Sequence, residues 1–582
     1  MIVSVLTLLL LQASGPGPDS VSALRKAARR AESEFERLAR QLAPVKFSSM
    51  DGTQCDEIVG RFCLRYDVGE MPAPPEEPSR VTLARRLAIE ALRHAFSYKA
   101  EELATSGPLV RYLVEDGRAQ EGASAARTFA ALSGDSIWGP LLLGFALHAT
   151  QDDTAAERLF AEGLRRMPEK ERRRIEDVEW LISYDDRKRY KKLEPVRRAE
   201  FHAALWAFSD PLYLTPGNER SNEHIARHVW SRVLELAPLV GEMTRWGQDL
   251  VELTVRYGTP SGRTRSPGSM GRSSGLVEHF DPHQLAYLPE DLLTRGPPPT
   301  PLPGETWSLE NPRTRSGHAP RTVRKLVPLT HQITRFPLGD SAILRVDAAM
   351  TLDSESAQDS VLTGFWVLAP GGRRIRELRG TGTPNRDTVR FSFEAALPAG
   401  EYVYSAEGLE PQSRYGSRAR YATDIPFATG GLRLSDPLIA EPFRTGALPA
   451  RRSDPVLRPR ASMAFQAGDT IGLYAESRGF SATSIGRAAF RVELSLRRAD
   501  RSSLPSRLVS WLGQRLRLAA QEAAPRLSYE AEGDPSGTAV IAVDLPLDAR
   551  SAGLYVLTME ITDLVNGERS RSSRVLRIDK AS

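Results

Sequence analysis

The sequence predicts a multidomain chain, α then β: a helical N-terminal half, a small α module and two C-terminal immunoglobulin-like β-sandwiches. Three observations predict it. Apolar residues recur every three or four positions from Val21 to about Trp246, and every second position from Val327 onward. At 582 residues the chain exceeds what one hydrophobic core serves. A Pro-, Gly-, Ser- and Arg-rich stretch, residues 261–326, separates the two textures.

The chain opens with an apolar run of ten, Ile2 to Leu11. Roughly 20 residues are needed to cross a bilayer, so this run is too short to span. Ala13 and Gly15 follow at signal-cleavage spacing, and residues 1–15 are expected to be an export signal. No later segment reaches spanning length. The expected location is therefore extracytoplasmic. Cys55 and Cys63 are the two cysteines of the chain. In an exported protein the pair is expected to form a disulfide, worth about 2.5 kcal/mol in the chain-entropy picture. Two thiolates alone do not make a four-ligand zinc site. The net charge of +5 is small, and its Arg residues are dispersed among acids, so no nucleic-acid face is expected.

Residues 21–195 read as a helical, repeat-like region, interrupted by the Cys loop at 55–63. Leu24, Ala28, Ala31, Phe35 and Leu38 form the stripe of a first amphipathic helix. After the Pro-rich 71–80, Ser79 or Thr82 is expected to cap the next helix. Leu143-Gly144, Leu147, Ala156, Phe160 and Pro168 fall at tetratricopeptide offsets. Small residues there allow two helices to cross closely, Phe160 fills the groove, and Pro168 ends the hairpin. Leu109 to Leu132, with Ala125 and Phe129, reads as a looser copy. Stacked repeats leave a concave groove for a protein partner.

Within 196–260, Asp210-Pro211 and Thr215-Pro216-Gly217-Asn218 are turn chemistry, with Asn218 or Ser221 as cap of a helix carrying Ile225, Val229, Val233 and Leu236. His224 and His228, four apart, share a helix face as in zinc hydrolases, but Ile225 stands where those enzymes place a general-base Glu. His279, His283 and Asp281 could complete such a site. Surface or capping histidines are the expected reading; a metal-dependent hydrolase using His224 and His228 is the alternative. Glu219, Glu223 and Asp249 read as carboxylates of a charged helical surface. No Gly-x-Ser-x-Gly elbow, dinucleotide fingerprint or phosphate loop occurs. No catalytic residue and no cofactor is expected.

"DPLYLTPGNERSNEHIARHVWSRV" followed by "RWGQDLVELTVRYGTP" resembles the GWxTD-domain family of bacterial, mostly exported proteins. Its matching residues are Asp210, Pro211, Thr215, Pro216, Asn218, Glu219, Arg227, Trp230, Trp246, Asp249, Tyr257, Gly258 and Pro260. Arg245 replaces the signature Gly, and Gly247-Gln248 stand where x-Thr is usual. The resemblance implies helical repeats before the module, sandwiches after it and export, with no established catalytic activity. Trp230 and Trp246 are expected as buried anchors. Asp249 is expected to cap or to pair with Arg227, and Tyr257-Gly258 to end a strand in a turn. A pocket built on Asn218, Glu219, Arg227 and Asp249 is the sharper alternative.

Residues 261–326 are expected to be an exposed linker with a docked segment at 276–293. Period-two runs then give one sandwich at 327–440 and a second at 441–582, with an amphipathic helical insert at 503–519. "LPAGEYVYSAEGL" and "RSAGLYVLTMEITDL" place Ala-Gly before an x-Tyr strand in each half. Tyr402 and Tyr555 are candidates for tying down a sandwich corner. Together these features predict an exported, non-enzymatic interaction or scaffold protein with a protein partner.

Overall fold

The structure is a computed structural model that describes residues 18–42, 57–60, 62–64, 76–237, 246–258, 262–265, 276–279, 316–352, 360–426, 431–443, 447–499, 527–547 and 552–580. The expected signal, Cys55, His283, Asp281, Pro260 and the insert 503–519 lie outside them.

Among the described residues eleven helices come first. They are α1 (Pro18–Gln41), α2 (Ser79–Lys99), α3 (Leu103–Glu115), α4 (Ala119–Ser133), α5 (Trp138–Ala149), α6 (Asp153–Arg166), α7 (Glu169–Glu176), α8 (Tyr184–Tyr190), α9 (Pro195–Ser209), α10 (Glu219–Glu235) and α11 (Gln248–Tyr257). A short hairpin, β1 (Glu57–Val59) and β2 (Phe62–Leu64), pairs Ile58 with Cys63. The cap expected at Ser79 or Thr82 is absent: Pro78 precedes α2, and Thr82 Oγ1 donates to Glu77 instead.

Helices α1 to α6 pack as successive neighbours. A Cβ at Gly144 of α5 would stand 2.8 Å from the Phe160 ring of α6, so the crossing requires the missing side chain. Helix α10 then lies against α3, α5 and α6. Its Trp230 meets Phe145 edge-on at 5.5 Å, and its Val233 covers Gly107. The inner face of the helical array is therefore filled by the chain's own helix, not left as an open groove.

The remaining strands pair in similar arrangements twice. The first set is β5 (Lys325–Pro328), β6 (Thr330–Leu338), β7 (Ser341–Thr351), β8 (Val361–Leu368), β9 (Arg374–Gly382), β10 (Thr388–Pro398), β11 (Gly400–Glu410) and β12 (Tyr415–Ile425), after a hairpin of β3 (Gly262–Arg265) and β4 (Leu276–His279). Sheets ordered β10-β7-β6 and β5-β12-β11-β8-β9 enclose a core around Phe365, Val389, Leu397 and Tyr404. The second set is β13 (Arg433–Leu434), β14 (Leu438–Ala440), β15 (Ala464–Gln466), β16 (Thr470–Arg478), β17 (Ala488–Arg498), β18 (Leu527–Gly533), β19 (Ala539–Pro546), β20 (Gly553–Asp563) and β21 (Arg569–Asp579). Its five-stranded sheet runs β15-β21-β20-β17-β18, the same path as the first, with a short opening strand parallel to the last. Gly400 and Gly553 begin equivalent strands, and Tyr402 Oη donates to the Pro398 carbonyl at 3.0 Å, a corner tie. Because β13 and β14 pair with β16, residues 433–440 belong with the second set, not the first.

A seam joins the two sets. Phe336, Leu438, Ala440, Phe443, Leu457 and Tyr474 form its apolar part. Arg335 grips Asp436 with Nε and a terminal nitrogen at 2.8 and 3.0 Å, and Gln332 exchanges hydrogen bonds with the Ile439 backbone. Two corrections concern the stretch expected as exposed linker. Strands β3 and β4 pair within it. From Ser316 onward the chain packs against its surroundings, with Ser316 and His318 almost completely buried.

Candidate functional site

The expected motif lies at the junction of the helices with the first pair of sheets. Helix α9 ends at Ser209, and Pro211 prevents its continuation. The last carbonyls of a helix need outside donors. Here the sheet supplies them. Arg418 and Arg420, two apart on β12, project from one face. Arg420 donates to the Phe208 and Asp210 carbonyls at 2.6 and 2.7 Å, and Arg418 to the Pro211 carbonyl at 2.9 Å. Arg379 of β9 donates to the Tyr213 and Leu214 carbonyls at 3.0 and 3.2 Å. Glu407 of β11 accepts from the Leu214 amide at 3.1 Å and from Arg420 at 2.9 Å. The Arg420 guanidinium lies 3.9 Å from the Tyr213 ring centre, and Tyr213 meets Trp366 edge-on. Burial, partly opposed by Arg420 and reinforced by Glu407, pushes the Asp210 carboxyl well above the usual carboxylate range. A shared apolar core of Phe201, Leu205, Phe208, Leu212, Trp366 and Leu368 surrounds this polar joint.

Helix α10 carries the second half of the motif. Asn218 is its N-cap: the side-chain oxygen accepts from the Ser221 amide at 2.9 Å, and Nδ2 donates to the Trp206 carbonyl at 2.7 Å. Glu219 accepts from the Arg321 amide and from Thr322 Oγ1. One turn on, Glu223 accepts from His148 Nε2 at 2.8 Å and from Arg227 Nε at 2.6 Å. His148 Nδ1 donates to Asp153 at 2.5 Å, and Asn222 Nδ2 also reaches Asp153. Burial works against a charged His148, but the hydrogen bonds to Asp153 and Glu223 outweigh it and hold its pKa at about 9. Glu223 is held well below the carboxylate range: burial opposes ionisation, and Arg227 and His148 override it. Arg227 spends its remaining donors on the carbonyls of Val255, Arg256 and Gly317. A Cβ at Gly258 would meet that guanidinium at 3.0 Å, and Gly258 has φ +77°, so this position is restricted twice.

Of the two helical histidines, His224 is a core residue and His228 is half-buried beside it. His224 Nε2 donates to the Ile175 carbonyl at 2.7 Å, and its ring packs on Trp206 and His228 at 5.0 and 4.9 Å. Burial lowers both pKa values, that of His228 to about 4; for His224 the neighbouring His228 and Arg220 add to the effect. Among the described residues no group of three His, Cys, Asp or Glu is placed to hold a metal ion. A surface depression is lined by α1 side chains including Arg25, Arg29, Arg30 and Arg37, and by no motif residue.

Several expectations need correction. His224 is buried rather than a surface or capping histidine, and Glu219 and Glu223 are buried rather than surface carboxylates. The reason is that α5, residues 316–322 and α9 cover what a lone helix would expose. Arg227 pairs with Glu223, not Asp249. Asp249 occupies the first turn of α11, where it accepts from the Leu250 amide and packs against Gly60 of the β1–β2 hairpin. Gly247, not Asp249, is the N-cap of α11. Tyr257 ends a helix rather than a strand, and Gly258 follows as its cap. Trp230 is buried as expected, but Trp246 is only half-buried against the helical core. The sequence reading missed His148, Asp153, Arg418, Arg420 and Glu407. The two arginines left one usable signal, charged residues at every second position of a strand, which is equally the mark of a solvated face.

Comparison with known proteins adds no identity. No family model matches the chain, and no curated protein matches it. Among solved structures, similarity is found to a calcium binding mutant of Bacteroides uniformis beta-glucuronidase 2, at 10% identity and a TM-score of 0.16, over 41% of this chain. The chain spans 27% of that protein's length. Among the described residues no helix is long and apolar enough to cross a membrane.

Proposed function

We propose that this chain is an exported, non-catalytic interaction or scaffold protein of the GWxTD-like type, built from tetratricopeptide-like helices and two immunoglobulin-like sandwiches. One observation carries the reading. The most conspicuous polar residues of the motif are engaged in structural bonds: Asn218 in a cap, Glu219 on residues 321–322, and Arg227 on Glu223 and three carbonyls. Groups so engaged have little capacity left to bind or activate a substrate. The repeated sheet order and the Tyr402 corner tie support the immunoglobulin-like reading of the sandwiches. The close crossing at Gly144 and Phe160 supports the tetratricopeptide-like reading of α5 and α6.

The inner groove being occupied by α10, partners are met on outer surfaces. Leu83 and Leu87 of α2 and Leu132 of α4 are among the exposed apolar residues of those surfaces. Affinity capture from the exported fraction at native expression tests the proposal. A partner enriched by the native chain and lost with Leu83→Glu/Leu87→Glu is expected; no partner above background would contradict it. Metal analysis of the purified chain tests the hydrolase alternative. Stoichiometric zinc that disappears with His224→Ala would favour it.

A further inference from the structure

Helix α1 is held on the array through two buried carboxylates that face too little positive charge. Glu32 and Glu36 lie one turn apart on its inner face, 3% and 1% exposed. Glu36 accepts from Arg111 of α3 at 2.7 Å and from Tyr112 Oη at 3.1 Å. Arg111 is also claimed by Glu115 of its own helix at 2.8 Å. Glu32 Oε1 and Glu36 Oε2 have no hydrogen-bond partner among the described residues. The other groups nearby do not correct the balance. Arg29 lies on the exposed side of α1, Arg85 of α2 sits over the Phe35 ring and pairs with Glu77, and α10 presents the neutral Trp230 beside Arg111. Glu36 and Glu115 thus share one buried guanidinium, while Glu32, one turn from Glu36, is left with Oε1 unpartnered. Such a site keeps a proton on one carboxyl.

We propose that α1 is a proton-dependent strap: it docks with Glu32 protonated beside Glu36, and loosens when the Glu32 carboxyl ionises. Burial, with Glu36 adding to it and Arg111 opposing it, raises Glu32 to about 7. The sign follows from the raised value. Docking is favoured below the ordinary carboxylate pKa and weakens as pH rises through 7. Loosening uncovers the surfaces of α2 and α3 now shielded by Ala28, Phe35 and Ala39.

Hydrogen exchange of the full chain at pH 6 and pH 8 tests this, corrected for intrinsic rates and referenced to α6 peptides. Between those pH values the docking equilibrium is expected to fall about tenfold, read as the same loss of protection in peptides from 18–42. Glu32→Gln is expected to abolish the difference and stay protected at both. Glu36→Gln, which removes a like charge beside Glu32, is expected to move the loss to lower pH. Equal protection of the native chain at both pH values would overturn the proposal. So would an undiminished difference in Glu32→Gln or, should that variant not fold, an unshifted transition in Glu36→Gln.

Discussion

Replacing Arg420 by methionine tests how the helices are fastened to the first pair of sheets. Its guanidinium is wholly buried and pairs with the equally buried Glu407. Breaking such a pair by removing one partner costs about 3–5 kcal/mol, because the remaining charge is left in the interior. The Phe208 carbonyl also loses its Arg420 donor, at about 1–3 kcal/mol if nothing replaces it, while the Asp210 carbonyl keeps a longer bond from Arg418 at 3.3 Å. Water entering the vacated space offsets part of this, and methionine keeps most of the packing on Tyr213. The net expectation is a loss of about 4 kcal/mol. For a cooperative block of about 150–250 residues that lowers Tm by about 8–16 °C. Differential scanning calorimetry is the assay, and the helices and sheets are expected to melt in separate transitions. Adding Glu407→Leu removes the stranded charge and is expected to recover at least half of the loss. A single variant that costs under about 1 kcal/mol, with one undivided transition, would refute the reasoning.

Other expectations follow from the same packing. Gly144→Val drives a side chain into the Phe160 ring and is expected to cost about 1–3 kcal/mol or more, read from urea midpoints. Trp230→Ala empties the contact between α10 and Phe145 and is expected to cost about 3–5 kcal/mol by the same measurement. His148 has its pKa raised to about 9, so its contribution of about 3 kcal/mol is present below the ordinary histidine value and lost as pH rises through 9. Stability compared at pH 7 and pH 10 is expected to show this loss, and His148→Gln to remove it. His331 has the opposite sign: burial lowers it to about 4, so its contribution is present at pH 7 and about 2–3 kcal/mol is lost by pH 4.5. Urea midpoints of the native chain and His331→Asn at those two pH values check it.

The local pieces of this fold were readable because local rules govern them. The 3.6-residue stripe of α1, the small residues at Gly144 and Ala156, the Asn218 cap and the Ala-Gly-x-Tyr echo each depend on neighbours in sequence. The joint was not readable. Arg418 and Arg420 alternate on β12 as solvent-facing residues do, and only the docking of residues 208–214 makes their face interior. Glu219 and Glu223 sit in a charge-rich helix that would be amphipathic alone, and α5 and residues 316–322 bury its polar side. His148 lies 75 residues from the carboxylate it meets on α10, a pairing no periodicity encodes. Residues 316–324 have the composition of a linker, yet their backbone supplies acceptors and donors to α10.

The central claim is that the motif fastens helices to sheets. The distance between the two bodies measures it most directly. Spin labels at Thr128→Cys of α4 and Arg376→Cys of β9, in a background of Cys55→Ser and Cys63→Ser, report that distance by electron–electron double resonance; both label sites are exposed. One narrow distance distribution is expected, broadening when Arg420 is replaced by methionine. A broad distribution in the otherwise native chain would contradict the account.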